Sequence, residues 1–173
     1  MSLRRVKDAL APFSKKIQDN IAEGTFGERG EEWAILQVAI LVCVGLGTVP
    51  LVGGLVTTLA GPGLVAVGIA LAAAGVSGLG QSLSPWPAPV KDNDLKTDGI
   101  YGIIRHPTYT GLVMFCLGFG VITDSPLRML LAVLLGVVLV KKVEKEENML
   151  MDFHGEAYEE YRAKVAKFLP KLY

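Results

Sequence analysis

Two segments of the chain contain residue types that could do chemistry. The first contains Arg105, His106 and Pro107. Proline suits the first position of a helix, where its missing N–H would have no helical partner, so a helix is predicted to begin at Pro107. The unpaired amides at the start of that helix, beside an arginine and a histidine, would attract an anion such as a carboxylate. We therefore predict an anion-binding corner at residues 105–111.

The other segment is acidic and aromatic, and it lies nearer the C-terminus. Glu146 and Glu147 occur towards the end of a long predicted helix. Beyond Gly155, a second helix is predicted to carry an aromatic and apolar stripe, with a charged opposite face. The stripe consists of Tyr158, Tyr161, Val165 and Phe168. We expect this helix to fold back over residues 105–111 as a lid-like layer.

These two segments suit a zwitterionic nucleoside with a positive centre. Its carboxylate could bind at the Arg105–His106 corner, and its ammonium group and ribose hydroxyls could bind Glu146 or Glu147. Its flat base could stack on a tyrosine, and a sulfonium is attracted by carboxylates and aromatic faces. S-adenosylmethionine fits this description, although the residue types alone would also allow a dinucleotide.

Other classes of site are disfavoured by the composition. Cys43 and Cys116 are too few for a disulfide framework, and no His/Cys cluster has the spacing of metal ligands, so no metal site is predicted. The 17 basic residues balance the 17 acidic ones, which gives no overall basic field of the kind that nucleic acid requires. Neither a metal nor a nucleic acid is therefore expected.

The composition instead indicates an all-α membrane protein. The chain is 51% hydrophobic and only 20% charged, and its apolar residues cluster in blocks that hold no charged side chain. Those blocks are residues 34–59, 62–81, 108–123 and 129–140. About 20 apolar residues cross a ~30 Å hydrocarbon core, and tilt or polar ends relax this requirement. We predict four transmembrane helices in the lipid bilayer, with the anion-binding corner at the membrane surface.

Turn residues between the blocks predict that the four helices form two hairpins. Tight turns are expected at residues 61–63 (Gly-Pro-Gly) and 124–126 (Asp-Ser-Pro). In the second block Ala70, Ala74 and Gly78 recur every four residues, a spacing that lets helix backbones approach closely in lipid. This small-residue stripe is predicted to pack against a neighbouring helix.

The distribution of basic residues supports four spans. Residues 1–33, 82–107 and 141–173 would then share one side of the membrane, and they hold 16 of the 17 basic residues. Only Arg128 falls on the other side. Because basic residues favour the cytoplasmic side, both termini are predicted to face the cytoplasm or its equivalent in an organelle.

We interpret residues 1–173 as a single membrane domain with three parts. Residues 1–33 carry apolar side chains at every third or fourth position between charged ones, which is typical of an amphipathic helix in the headgroup region. The same helix could bind a partner membrane protein. Residues 34–81 form the first hairpin, and residues 82–173 form a cofactor-binding half whose C-terminal helices lie on the cytoplasmic side.

Several motifs, in this order and spacing, resemble the isoprenylcysteine carboxyl methyltransferase family and its phospholipid methyltransferase relatives. They are Arg105-His106-Pro107-x-Tyr109-x-Gly111, Glu146-Glu147 followed by Leu150, Phe153-x-Gly155 and Tyr158-x-x-Tyr161-Arg162. The resemblance covers roughly residues 83–170. It implies an integral membrane enzyme that binds S-adenosylmethionine and transfers its methyl group to a lipophilic acceptor, either a prenylcysteine-type carboxylate or a lipid.

The resemblance also implies roles for individual residues. Cofactor-binding residues would be His106, Pro107, Tyr109, Gly111, Glu146, Glu147, Tyr158 and Tyr161. Catalytic residues would be Arg105, His106, Glu147 and Arg162, and the two arginines would orient an anionic group of the acceptor or the cofactor. An amine acceptor would need a proton acceptor, for which His106 and the two glutamates are candidates. One departure is Ala166, which stands where family members often have proline.

Two other functions stay open at this stage. A sterol-type membrane reductase resembles the family in an Arg-His-Pro-x-Tyr-x-Gly segment, but it binds NADPH and such enzymes tend to have more spans. A non-catalytic structural or assembly subunit of a membrane complex could keep the same scaffold. The short stretch ahead of the motifs, where acceptor recognition would be built, is compatible with that second possibility.

Overall fold

The computed structural model describes residues 30–46, 56–80 and 94–170. Within these ranges it contains five α-helices and no β-strand. The helices are α1 (Glu31–Leu46), α2 (Gly61–Leu79), α3 (Pro107–Ile122), α4 (Pro126–His154) and α5 (Glu156–Lys164). A π-helical turn, Val56–Ala60, leads into α2, and a 3-10 turn, Gly99–Gly102, precedes α3. The predicted all-α class is therefore confirmed for the described part of the chain, whereas the amphipathic segment predicted at residues 1–33 lies almost wholly outside it.

The outer surface of α1, α2 and α4 is aliphatic. Val38 is 58% exposed, Ile69 53% and Val137 58%, and a belt of such side chains is unfavourable in water but matches lipid tails. Among the described residues, one helical stretch, Thr58–Leu79, is both long and apolar enough to cross a membrane by itself. Helix α3 is equally apolar in character but shorter.

The second predicted hairpin, α3 with α4, is present, but the first is not. Helix α1 packs against α4, and α2 packs against α3, so the prediction that α1 and α2 form a packed hairpin is wrong. This pairing follows from two different kinds of contact between the helices. A core of bulky and small side chains joins α1, α3 and α4, whereas α2 meets α3 through glycines. The core consists of Val44, Cys116, Ala132, Leu135 and Leu139.

Glycine brings the backbones of α2 and α3 into direct contact. Gly61, Gly68 and Gly75 are the buried residues of α2, and they recur every seven positions. A Cβ atom on Gly68 would lie 2.6 Å from the amide nitrogen of Phe115 and 2.7 Å from the carbonyl oxygen of Gly111. Contacts that short have no room for any side chain, so these glycines set the distance between the two helices.

The small-residue stripe predicted on α2 is consequently on the wrong face. Ala70 and Ala74 are exposed, and Gly78 faces the ring of Tyr101 rather than a neighbouring α-helix. Residues seven apart return to nearly the same face of a helix after two turns. The close approach follows that seven-residue spacing because glycine, which lacks Cβ, occupies those positions.

One of the two predicted turns is confirmed and the other is wrong. Asp124 has a φ of 47°, and the side chain of Ser125 caps α4 by accepting from the amide of Arg128. In contrast, the helix runs without reversal through residues 61–63. Pro62 is tolerated there because it lies in the first turn of α2, where its missing N–H is not needed.

Arg128 fastens the end of α1 to the start of α4. Its Nε donates to the carbonyl oxygen of Val44 at 2.9 Å, and its guanidinium carbon lies 5.0 Å from the centre of the Phe119 ring. Val44 is in the last turn of α1, where carbonyl groups have no partner within the helix. Arg128, the one basic residue predicted to lie on the opposite side of the membrane, thus caps the C-terminal end of α1.

We expect Gly68→Ala to lower the stability of the protein by about 1–3 kcal/mol, because the new methyl group would force the two backbones apart. The matched control is Gly63→Ala on the same helix, where nothing lies within 4 Å of the added Cβ. That variant should be neutral or stabilised by up to about 1 kcal/mol, since alanine favours the helix. Thermal unfolding of the detergent-solubilised protein measures both variants, and equal unfolding midpoints would contradict the glycine contact.

Candidate functional site

Arg105 connects the start of α3 to both α4 and the C-terminal segment. Its Nε and Nη2 each lie 2.9 Å from Oε1 of Glu147. Its Nη1 donates to the carbonyl oxygen of Arg162 at 2.9 Å and to that of Val165. The guanidinium is buried, at 9% exposure for the residue. The predicted basic corner and the predicted acidic segment therefore meet at the same end of the helix bundle.

Glu147 is shared by three basic side chains. Besides Arg105, His106 Nε2 lies 3.1 Å from Oε1 and Lys167 Nζ lies 3.1 Å from Oε2. Burial acts to raise the pKa of Glu147, but the hydrogen bonds and charges of His106 and Arg105 lower that pKa to about 2. Glu147 is thus an ionised anchor at neutral pH. We call these four residues the Glu147 centre.

The geometry of this centre differs from the expectation in one respect. The sequence predicted that Arg105 and His106 would bind one end of a ligand and Glu147 the other. In the structure they bind each other, which satisfies two buried charges that would otherwise be strongly destabilising. The Glu147 centre therefore holds three chain segments together before any ligand arrives.

A second polar cluster adjoins the first through aromatic stacking. The His106 and Tyr109 rings are stacked, with centroids 5.8 Å apart and planes at 10°. The Tyr109 hydroxyl donates to Oε2 of Glu146 at 2.9 Å. On the same ring, Lys142 Nζ lies 5.0 Å from the centroid, and it also donates to Oε1 of Gln37 at 2.9 Å. We call Gln37, Lys142, Tyr109 and Glu146 the Lys142 cluster.

Lys142 and Gln37 were missed by the sequence reasoning. Lys141 and Lys142 were counted together as flanking charges of a membrane span. One signal separates them: Lys142 lies four residues before Glu146, on the same face of the helix. In the structure Lys142 is 4% exposed, whereas the side chain of Lys141 is 57% exposed and pairs with Glu144.

The C-terminal segment returns to the start of α3 as extended chain, not as helix. Helix α5 ends at Lys164, so the prediction that its stripe continues through Val165 and Phe168 is wrong. Val165 is extended because its carbonyl group, like that of Ala166, turns towards Arg105: the Arg105 amide donates to the Ala166 oxygen at 2.9 Å. Ala166 is therefore fixed by backbone pairing despite the missing proline.

Two tyrosines of α5 pack beneath this segment with different hydrogen bonding. Tyr161 donates to the carbonyl oxygen of Tyr101 at 2.7 Å. Tyr158 is only 1% exposed, and its hydroxyl has no hydrogen-bond partner among the described residues. Burial raises the pKa of both tyrosines far above the ordinary value, so both hydroxyls stay protonated donors. The Tyr158 hydroxyl is thus a buried donor available to a ligand.

The remaining predicted site residues occupy varied positions. Pro107 is the first residue of α3, as predicted. Gly111 faces α2, where a Cβ would lie 2.5 Å from the Gly68 oxygen, so helix packing alone requires glycine there. Arg162 contributes its carbonyl oxygen to Arg105, while its side chain is exposed and makes no ion pair within the described ranges.

Comparison with known proteins identifies the family. The sequence model of the phospholipid methyltransferase family matches residues 56–157, which is more than half of the chain. The chain belongs to this family. The matched range contains the Arg-His-Pro motif, the glutamate pair and α2, and it supports the resemblance to isoprenylcysteine carboxyl methyltransferases described above.

Individual relatives agree with that assignment. Protein-S-isoprenylcysteine O-methyltransferase of Schizosaccharomyces pombe is 33% identical over 113 residues, which cover 64% of this chain and 48% of that protein. The protein of the same name from Xenopus laevis is 37% identical over 82 residues, covering 44% of this chain and 27% of that one. The chain thus spans about half the length, or less, of these two curated relatives.

A solved structure shares the fold. The eukaryotic intramembrane Ras methyltransferase ICMT (isoprenylcysteine carboxyl methyltransferase) superposes with a TM-score of 0.63 and 19% sequence identity. The superposition covers 95% of this chain and 60% of that one. The described helices are therefore arranged as in part of an intramembrane protein.

The depressed pKa of Glu147 predicts a specific acid sensitivity. Because the folded-state pKa, about 2, lies below the ordinary value of 4.5, the carboxylate stabilises the fold fully above that ordinary value. This contribution is lost as the pH falls from there towards 2. Glu147→Gln should cost about 3–5 kcal/mol of stability at pH 7, and its deficit relative to the wild type should shrink as the pH falls.

The control for this measurement is Glu144→Gln on the same helix, because the Glu144 side chain is 47% exposed. Its unfolding midpoint should follow that of the wild type at every pH. Thermal unfolding between pH 7 and pH 3 records all three proteins. A deficit of Glu147→Gln that stays constant over this range would show that the carboxylate is not held ionised by its neighbours.

Proposed function

We propose that this chain is an S-adenosylmethionine-dependent membrane methyltransferase that methylates the carboxylate of a prenylcysteine-type acceptor. The observation that carries the proposal is the Glu147 centre, which joins the Arg105–His106 motif to a glutamate about 40 residues later and to the C-terminal segment. The names of the Schizosaccharomyces and Xenopus relatives supply the reaction and the acceptor class. The superposed intramembrane structure supports a membrane setting.

We further propose that α1 to α4 each span the bilayer, with both termini on the cytoplasmic side. The exposed aliphatic surface of α1, α2 and α4 supports this arrangement. So does the concentration of 16 of the 17 basic residues in segments that four spans place on one side. Under this topology the Glu147 centre lies at the cytoplasmic membrane surface.

The residues present fit the methyl donor. The buried, unpartnered hydroxyl of Tyr158 offers a hydrogen bond beside the Glu147 centre. The carboxylate of Glu146 is partly exposed, and one of its oxygens accepts from the Tyr109 hydroxyl. The other oxygen would accept from an ammonium group or from ribose hydroxyls. Arg162, whose guanidinium is exposed, would pair with an anionic end. The stacked rings of His106 and Tyr109 add an aromatic pair that contacts Glu147 and Glu146 through hydrogen bonds.

Catalysis then consists mainly of positioning and exclusion of water. When bound, S-adenosylmethionine supplies an electrophilic methyl group on a positive sulfur. The acceptor carboxylate would be the nucleophile, and the chain's own residues would hold one of its oxygens in line with that methyl group. No proton is released, so no general base is required of the chain.

The pKa of Glu147 removes one of the three candidate general bases that an amine acceptor would need. Methylation of an amine releases a proton, and a general base works best when its pKa lies near the operating pH. Glu147, whose pKa is lowered to about 2, is unsuited to that task. The reductase and structural-subunit alternatives receive no support from the relatives, which are methyltransferases by name.

We expect the detergent-solubilised protein to bind S-adenosylmethionine, and Tyr158→Phe to weaken that binding about 5- to 10-fold through loss of one buried hydrogen bond. The unfolding midpoint of Tyr158→Phe should not fall, because the hydroxyl it removes has no partner among the described residues. Isothermal titration calorimetry measures the affinity.

The control for this titration is Tyr101→Phe, which removes a hydroxyl that donates to the Gly75 oxygen at 3.0 Å. That variant should lose stability and keep its affinity for S-adenosylmethionine. Wild-type affinity in Tyr158→Phe would remove Tyr158 from the cofactor site. Binding of NADPH in place of S-adenosylmethionine would favour the reductase, and binding of neither by the folded protein would favour the structural subunit.

An acceptor panel tests the reaction itself. We expect methyl transfer to N-acetyl-S-farnesylcysteine, measured as a base-labile methyl ester, and none to its carboxamide, which lacks the nucleophilic oxygen anion. Phosphatidylethanolamine and a hydroquinone complete the panel. Methylation of the lipid amine alone would contradict the assignment of a carboxylate acceptor while leaving the methyltransferase assignment intact.

A further inference from the structure

Lys142 is a buried cation that the proposed cofactor site does not use. It is 4% exposed although it follows directly after Lys141, whose side chain is more than half exposed. Burial of an ammonium group is unfavourable unless polar groups surround it. The Lys142 cluster provides such groups, and one hydrogen bond of the ammonium goes to the neutral amide oxygen of Gln37.

The Lys142 cluster lies where the apolar helices become polar. On α4 it follows the uncharged block 129–140 directly, and on α1 Gln37 precedes Val38, which is 58% exposed on the aliphatic surface. A molecule with an apolar tail among these helices and an anionic head at the membrane surface would therefore bring its head to the depth of Lys142. Lipophilic carboxylates have this shape.

The Lys142 cluster also adjoins the Glu147 centre. The Tyr109 ring touches Lys142 on one side of the cluster and stacks on His106 of the centre. Glu146, four residues after Lys142, accepts from the Tyr109 hydroxyl. The Tyr109 ring alone would thus separate a carboxylate held by Lys142 from the residues to which we assign the methyl donor.

We propose that Lys142 binds the carboxylate of the lipophilic acceptor, and that this carboxylate displaces the amide oxygen of Gln37 from the ammonium group. This inference rests on the proposed function and adds the acceptor's anion site to it. The amide of Gln37 suits an exchange, because rotation about its last side-chain bond turns the oxygen away and presents its NH2 group as a donor. One carboxylate oxygen then pairs with Lys142 and the other receives the amide of Gln37.

The test compares Lys142→Met with Lys141→Met, which removes an equal charge from the adjacent exposed position. Equilibrium binding of N-acetyl-S-farnesylcysteine and of its carboxamide is measured in nanodiscs without any methyl donor. Lys142→Met should weaken binding of the carboxylate by about 10-fold or more, since a charge-assisted hydrogen bond is lost. Binding of the carboxamide should change by less than about 2-fold, because no ion pair is involved. Lys141→Met should bind both compounds as the wild type does.

The possible outcomes separate the two proposals. If the wild type methylates the carboxylate but Lys142→Met binds carboxylate and carboxamide with wild-type affinities, the Lys142 assignment is wrong and the proposed function stands. Equal weakening of both compounds would also overturn the assignment, because it would indicate a general loss of structure. If the wild type methylates no carboxylate, the proposed function itself fails.

A second variant covers the case in which Lys142→Met does not fold. Gln37→Glu keeps Lys142 and places a fixed carboxylate beside it, so the acceptor must compete with an internal ion pair. Binding of N-acetyl-S-farnesylcysteine should again weaken by about 10-fold or more, and binding of the carboxamide should be preserved. Wild-type affinity for the carboxylate in Gln37→Glu would overturn the proposal.

Discussion

The buried carboxylate of Glu147 is the interaction on which the site depends. It is ionised and shared by Arg105, His106 and Lys167. Arg105 and His106 directly precede α3, whereas Lys167 follows α5. Removing a buried charge from such a set leaves its partners uncompensated, which is more destabilising than the loss of any single hydrogen bond. The beginning of α3, the end of α4 and the C-terminal segment therefore form one unit, and the positions of the aromatic rings around it follow from that unit.

A second constraint places this unit against the rest of the bundle. The glycines of α2 let its backbone contact α3 directly, and Gly75 lies so close to Pro107 and Thr108 that any side chain there would collide with the first turn of α3. The start of α3 therefore cannot move relative to α2. Because His106 immediately precedes that turn, a packing contact in the apolar part of the protein determines where a polar residue of the site lies.

Local rules predicted the chemistry-bearing segments well, since they depend on neighbours in the sequence. Pro107 begins α3, residues 124–126 form a turn, and α4 runs past the apolar block to the glutamates. Failures occurred where contacts between distant segments decide. Which face of α2 packs depends on α3, and the end of α5 depends on Arg105 drawing the carbonyl of Val165 out of the helix. Lys142 resembles any flanking lysine until α1 and α3 surround it.

The fastening of α1 has a mechanical consequence. Near the N-terminal end of α1, Glu32 pairs with Lys145 and Gln37 accepts from Lys142. Near its C-terminal end, the carbonyl oxygen of Val44 accepts from Arg128. Because it is held near both ends, α1 cannot slide or tilt along α4 unless these polar contacts break. Because α3 shares its core with α1 and α4 and is also tied to α4 through the Glu147 centre, these three helices form one rigid group, and α2 is attached to that group through its glycines.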